Sequence, residues 1–284
     1  MPEVALPLAE LLAEARAQLG AAGIPEPARE ALRLWADLGG ASAERALLDR
    51  SRAVDPVAAA RLMAAVGQRA EGEPLAYVTG WTGFRRLELR IDRRALIPRP
   101  ETEGLVDLVL ERVSGGRVAD LGTGSGCIAL SLAIERRYDA VLAVDSSADA
   151  LGLAEENRQL TGAGITLVRG DLTAGLAAGS LDALVSNPPY LTEREYAELD
   201  PAVSRWEPRE ALVSGADGLD ATVRLLDEGR RVLRSGGWLA LELDASRAAA
   251  VAALARGLGW GAVEVRVDLF GRERYLLARR SERP

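Results

Sequence analysis

The residues from Arg117 onward constrain this chain most. Arg117-Val-Ala-Asp-Leu121 is a short apolar run, Gly122-Thr-Gly-Ser-Gly126 is a glycine loop, and Ile128–Glu135 has helical apolar spacing. Strand, glycine turn and helix in that order open a crossover unit, and repeated crossover units build a parallel sheet covered by helices. The repeat continues. Ala140–Val144 is a second strand ending on Asp145, and a helix through Leu151, Ala154 and Asn157 leads to a third, Ile165–Val168, followed by Gly170-Asp171-Leu172. A fourth strand, Leu181–Ser186, runs into Asn187-Pro188-Pro189-Tyr190. Open α/β sheets bind ligands beyond the carboxyl ends of their strands, so these loops are expected to face one crevice. The glycines are spaced G-x-G-x-G rather than as the dinucleotide fingerprint G-x-G-x-x-G, and no second mononucleotide-binding half follows. After Leu239–Leu243 come a helix over Ala248–Leu258, a strand near Val263–Val267 and a last strand, Tyr275–Ala278. The tight Phe270-Gly271-Arg272 connection predicts an antiparallel final pair.

Two of these loops suggest chemistry. An acidic side chain where Asp145 stands can accept both hydroxyls of a ribose. At Ser186–Tyr190, two consecutive prolines remove two backbone donors and fix two φ angles near about −65°. The Asn187 amide oxygen and the Pro188 carbonyl are two acceptors, and Tyr190 adds a flat aromatic face. This set fits a planar NH2 group, whose nitrogen lone pair is delocalised and poorly nucleophilic; acceptors placed off its plane favour the pyramidal, reactive form. A proline-rich turn after a strand is the alternative.

Composition narrows the chemistry. A chain of 284 residues, 48% hydrophobic and 27% charged, is long enough for two domains. No run of eighteen apolar residues occurs and no secretory signal opens the chain, so neither a membrane span nor secretion is expected. The single cysteine, Cys127, excludes an internal disulfide and fits a reducing cytoplasm; at the start of a helix it reads as a small core residue. With no histidine, Ser-His-Asp and zinc-hydrolase readings fail and no metal is expected. A net charge of −7 argues against coating nucleic acid phosphates. All the basic residues are arginine; Arg85-Arg86 and Arg93-Arg94 read as a solvated face, or as a contact with an acidic partner surface or RNA.

The N-terminal part reads as short helices. Leu8, Leu11, Leu12, Ala15 and Leu19 recur at helical spacing; Pro27 opens a helix with Ala31, Leu32, Trp35 and Leu38, stopped by Gly39-Gly40. Ser42 can cap a third helix, and Asp55-Pro56 is an N-cap with proline behind it. This bundle either packs or grips a partner. Leu87, Leu89 and Ile91 then alternate with charged residues, the signature of a half-buried strand, and predict a β-hairpin between two domains. Trp35, Trp238 and Trp260 are expected in cores, whereas Trp81 and Phe84 fit either a core or the approach to the crevice. The expected division is 1–73 helical, 74–98 hairpin linker and 99–284 catalytic.

The strand pattern resembles the seven-stranded, Rossmann-like α/β sheet of S-adenosylmethionine-dependent methyltransferases, with its final antiparallel strand. A more specific resemblance covers nearly the whole chain. Glu73-Pro74, Leu96-Ile-Pro-Arg-Pro-Glu-Thr-Glu103, Asp120-Leu-Gly-Thr-Gly-Ser-Gly-Cys-Ile-Ala-Leu130, Ser186–Tyr190, Glu207-Pro208-Arg209, Gly215-Ala-Asp-Gly-Leu219 and Gly236-Gly-Trp-Leu239 match the PrmC/HemK family in order. Members of that family methylate the N5 amide of the glutamine in the Gly-Gly-Gln motif of bacterial class I peptide chain release factors. Asn-Pro-Pro-Tyr alone is shared with adenine-amino methyltransferases of nucleic acid, an alternative that the Leu96–Glu103 block disfavours. The resemblance implies S-adenosyl-L-methionine as cofactor, S-adenosyl-L-homocysteine as product, and a monomer whose N-terminal domain binds release factors. It assigns Gly122, Thr123, Gly124, Ser125, Gly126, Asp145, Asp171, Leu172 and Asn187 to the cofactor, and Asn187, Pro188, Pro189 and Tyr190 to the glutamine pocket. Catalysis falls to Asn187, Pro188 and Tyr190. Leu172 stands where the family usually has an aromatic residue, and Asp244 and Arg247 depart from the family pattern.

Overall fold

A computed structural model describes residues 6–39, 43–48 and 50–281. The expected stop at Gly40 and cap at Ser42 lie outside them. Contacts divide the chain into two compact units: residues up to Trp81 together with Pro201–Trp206, and Thr82–Asp200 together with Glu207–Pro284.

The first unit is helical: α1 (Leu8–Ala21), α2 (Pro27–Asp37), α3 (Ala43–Leu48), α4 (Pro56–Ala70) and α5 (Leu75–Thr79). Its core is built from Leu8, Leu11, Ala15 and Leu19 of α1, Ala31, Leu34 and Trp35 of α2, and Leu62, Ala65 and Val66 of α4. On α2 the buried stripe passes through Leu34, and Leu32 and Leu38 lie half-exposed beside it; two adjacent periods both satisfied the sequence. Asp55 caps α4, its carboxylate accepting the Ala58 N–H at 3.2 Å, as its place before Pro56 predicts.

A two-stranded ribbon follows, β1 (Trp81–Phe84) and β2 (Leu87–Arg90), shorter than the 74–98 segment because Leu75–Thr79 is helical. Phe84 is 1% exposed and sits in the core with Leu89. Arg85, expected on a solvated face, is only 12% exposed and pairs with Glu135 and Asp107.

Next come α6 (Pro100–Arg112), β3 (Arg117–Leu121), α7 (Cys127–Glu135), β4 (Ala140–Asp145), α8 (Ala148–Thr161), β5 (Thr166–Arg169) and β6 (Leu181–Ser186). Two short helices, α9 (Glu193–Ala197) and α10 (Pro201–Ser204), precede α11 (Asp220–Val232), β7 (Leu233–Glu242), α12 (Ala248–Gly257), β8 (Val263–Val267) and β9 (Glu273–Arg279). The sheet order is β5-β4-β3-β6-β7-β9-β8. The first five of these strands are parallel, and β9 runs antiparallel to both neighbours. Strand alternation supplies both faces. Val118, Ala183, Val185, Ala240 and Leu277 pack under α6 and α7, whereas Ala119, Leu121, Leu184, Leu239, Leu241 and Leu276 pack under α11 and α12. Each large aliphatic side chain buried here contributes about 1.5–3 kcal/mol. Trp260 is buried as expected, but Trp238 is half-exposed, with the Arg112 guanidinium 5.5 Å from its ring. Sheet order reverses between β3 and β6, and the carboxyl ends of the strands on either side open a crevice there.

Candidate active site

The crevice is a cavity of about 410 Å³ into which the loops after β3, β4, β5 and β6 converge. Gly122 and Thr123 donate their N–H groups to the Val144 carbonyl at 2.9 and 3.0 Å, fastening the glycine loop to the end of β4. Gly124 donates to Asp145 Oδ2 and Ser147 to Asp145 Oδ1, each at 2.9 Å. Each Asp145 oxygen thus accepts one backbone N–H and keeps a second lone-pair direction for a ligand. Gly122 has φ +72°, and no protein atom lies within 4 Å of the place a Cβ would take, so a ligand can reach the backbone there. Gly122 to Ser125 line the cavity; Gly126 does not, and instead starts α7 packed against Leu130 and Ala154.

Beneath the loop lies Asp120, fully buried. Its Oδ2 accepts from Thr123 Oγ1 at 2.6 Å and from the Ala129 N–H, while Oδ1 has no protein partner. Burial pushes its carboxyl up to about 7. Asn157 is fully buried too and joins three elements: Oδ1 accepts the Arg90 N–H at 2.7 Å, and Nδ2 donates to the carbonyls of Arg90 and Ser125 at 3.0 and 2.9 Å.

Asp171 and Leu172 both line the cavity. The Asp171 carboxylate is held by Arg224, whose Nη2 lies 3.0 Å from Oδ2. Leu172 has φ +50°, a left-handed conformation that costs a non-glycine residue roughly 1 kcal/mol or more. It presents an aliphatic, not an aromatic, surface.

At the end of β6, Ser186 Oγ donates to the Leu121 carbonyl at 2.6 Å and locks β6 to β3 just before Asn187. Asn187 and Pro189 line the cavity; Pro188 is buried and Tyr190 half-buried, and neither side chain forms the wall. Burial pushes the Tyr190 phenol up to about 12, so it stays protonated. Asn187 Nδ2 donates to Thr102 Oγ1 at 3.1 Å, and Thr102 Oγ1 donates to Glu242 Oε2 at 2.7 Å. Thr102 and Glu242 are 2% and 1% exposed. Thr102 falls within the Leu96–Glu103 block but was given no role from sequence, and Glu242, a carboxylate ending a strand, has no motif of its own.

The rest of the wall comes largely from stretches quoted in the sequence but given no place in the site there. Buried Glu207 accepts the Ile97 N–H at 3.1 Å and pairs with Arg99, so the Leu96–Glu103 block is pinned to the segment from Pro208 to Arg224. Within that segment a side chain at Gly215, φ +74°, would collide with the Asp220 carboxylate. Arg94, expected on a solvated face, pairs with Asp92 and Glu156 and reaches the cavity. Arg247 holds the Glu195 carboxylate with two contacts at 2.7 and 2.8 Å, and Asp244 caps the short helical turn over 245–247. Desolvation pushes the Cys127 thiol up to about 12, which fits a packing role.

A family described as PrmC N-terminal domain matches residues 10–80, and one described as methyltransferase small domain matches residues 101–201. The chain is 43% identical over 277 residues to a protein of Deinococcus radiodurans named release factor glutamine methyltransferase, covering 96% of this chain and 99% of the relative. It belongs to the release factor glutamine methyltransferase family. A relative of the same name from Moorella thermoacetica is 42% identical, covering 97% of this chain and 99% of the relative. Among solved structures, a methyltransferase from Pyrococcus furiosus aligns with TM-score 0.53 at 19% identity, covering 78% of this chain and 97% of that one. The hMettl16 catalytic domain aligns with TM-score 0.55 at 17% identity, covering 82% and 86%. At these identities the structural matches establish the methyltransferase fold alone. Within that fold, the release factor glutamine methyltransferase family supplies the methyltransferase assignment.

Proposed function

We propose that this chain transfers a methyl group from S-adenosylmethionine to the side-chain amide of the glutamine in the Gly-Gly-Gln motif of bacterial class I release factors. The observation that carries this reading is one cavity wall that bears both a ribose-type acceptor, Asp145, and an amide acceptor, Asn187. Relatives of nearly the same length named for that activity support the substrate. The residues present fit the cofactor: an open glycine backbone, a carboxylate with a free lone pair on each oxygen, and an unpartnered buried Asp120 oxygen behind them. When bound, S-adenosylmethionine supplies a methyl group on a sulfonium that leaves as S-adenosylhomocysteine.

The chain's own residues supply alignment and electrostatics. Asp145 holds the ribose hydroxyls, Gly122 to Ser125 line the methionine and ribose part, and Asp171 and Leu172 flank the adenine. Asn187 Oδ1 and the Pro188 carbonyl accept the two N–H bonds of the substrate amide, and Pro189 forms the wall beside them. No strong base is required. The amide nitrogen becomes acidic only as it gains positive charge, and acceptors whose hydrogen bonds tighten with that charge stabilise the transition state preferentially. Fixing nitrogen, methyl carbon and sulfur in line supplies much of the remaining rate. In the same reading, residues 1–73 dock the release factor, 74–98 link, and 99–284 catalyse; a translation-factor substrate puts the reaction in the cytoplasm. Among the described residues no helix is long and apolar enough to cross a membrane.

The test is incubation with methyl-labelled S-adenosylmethionine and, in parallel, a class I release factor, its Gln→Ala form and duplex DNA. Label on the unmodified factor alone is the expected result. Label on DNA, or equal label on the Gln→Ala form, overturns the proposal.

A further inference from the structure

The Asn187 amide works as an acceptor only if its oxygen, not its nitrogen, faces the substrate. The proton count around Thr102 decides which. A hydroxyl has one proton, and Thr102 donates it to Glu242 Oε2 at 2.7 Å. Only lone pairs remain for its other neighbour, so the amide must turn its NH2 toward Thr102, as the 3.1 Å contact has it. Oδ1 is thereby left at the opposite end of the amide. Rotated by half a turn, the same side chain would set an NH2 against a substrate NH2, and two donors cannot pair.

We propose that Thr102 and Glu242 are positioning residues that set the polarity of the Asn187 amide: the buried Glu242 carboxylate takes the Thr102 proton, and Thr102 then accepts only the nitrogen end of Asn187. This rests on the acceptor role given to Asn187 above. The elements suit it. Thr102 lies in the first turn of α6 and on the cavity wall, and Glu242 ends β7 opposite Tyr275 of β9. Their proposed effect on the reaction runs through the orientation of Asn187.

Protonating Glu242 reverses the count. A neutral carboxyl donates to Thr102 Oγ1, whose proton is then free to point at Asn187 and admit the flipped amide. The working form is the carboxylate, so turnover is present above the Glu242 titration and lost as pH falls through it. Burial raises that titration to about 7. Arg274 and Arg99 pull it down and Glu101 pushes it up, and Tyr190 and Tyr275 also face the carboxyl.

Three substitutions test the relay, with a class I release factor and labelled S-adenosylmethionine as probes. Thr102→Val keeps the shape without the hydroxyl and should lower kcat about tenfold while leaving cofactor affinity by calorimetry unchanged. Thr102→Ser should restore it. Glu242→Gln cannot ionise and should lose the acid limb that the unaltered enzyme shows between about pH 6 and 8. Wild-type turnover in Thr102→Val, failure of Thr102→Ser to improve on it, or an acid limb that is absent from the start or survives in Glu242→Gln overturns the proposal. Full turnover in Asn187→Ala would remove the acceptor role itself. Loss there with Thr102→Val unaffected would remove the relay alone.

Discussion

In the proposed function Asp145 and Asn187 do different work within one cavity, and single substitutions should separate them. Asp145 accepts from Gly124 and Ser147 besides its proposed ribose role, so Asp145→Ala should both remove a ligand contact and free the glycine loop. Calorimetry should show cofactor affinity weakened by roughly 2–3 kcal/mol, the cost of losing hydrogen bonds to a charged group. Asn187→Ala should instead depress turnover with cofactor affinity nearly kept; equal losses in both quantities would count against the division of labour. The place of both residues on the cavity was legible in sequence because each stands at the end of a strand whose apolar run is unmistakable. The link from Asn187 through Thr102 to Glu242 was not, since it is a hydrogen-bond chain across residues far apart in the sequence. Gly126, outside the cavity lining, shows a related limit: the spacing marks a glycine but not which side of the loop it faces.

Elements hold the glycine loop in place as much as its own glycines do. Asn157 of α8, itself fully buried, fastens β2 and the Ser125 carbonyl. Asn157→Ala removes three hydrogen bonds to backbone groups, and losing a partner for a buried group such as the Ser125 carbonyl costs about 1–3 kcal/mol. The expected outcome is a clearly lower melting temperature together with weaker cofactor binding. A stable variant with normal binding would show that α8 and the loop are held by packing alone. Sequence placed α8 and its direction correctly, yet offered Asn157 only as a residue at helical spacing. The segment from Pro208 to Arg224 was less legible still: apart from Gly215 and Gly218 it has no periodicity, and its shape comes from Glu207, Asp220 and Ser214 contacts.

For the whole molecule, the lack of histidine makes acid–base behaviour unusually simple to interpret. Asp120 and Glu242 are pushed up to about 7 by burial, against about 4 in an unfolded chain. Between those values the folded state binds more protons than the unfolded one, so stability falls as pH rises from about 4 to 7, by an amount on the order of a few kcal/mol. Carboxylates pulled down by arginine or backbone partners, such as Glu195 and Asp268, contribute only above about pH 4 and lose their effect on acidification below it. Melting temperature should therefore decline between about pH 5 and 7.5, and the slope should flatten in Asp120→Asn. A wild-type curve already flat across that window would contradict the burial of these groups as charges. The helical unit has a further property at this scale. It takes in Pro201–Trp206, and the chain returns to the sheet-bearing unit at Glu207, whose carboxylate clamps Ile97 and Arg99. A ribosome makes residues in order, so the first unit to emerge waits for residues 82–200 before its last piece exists. Neither unit can be encoded as one uninterrupted stretch of the gene.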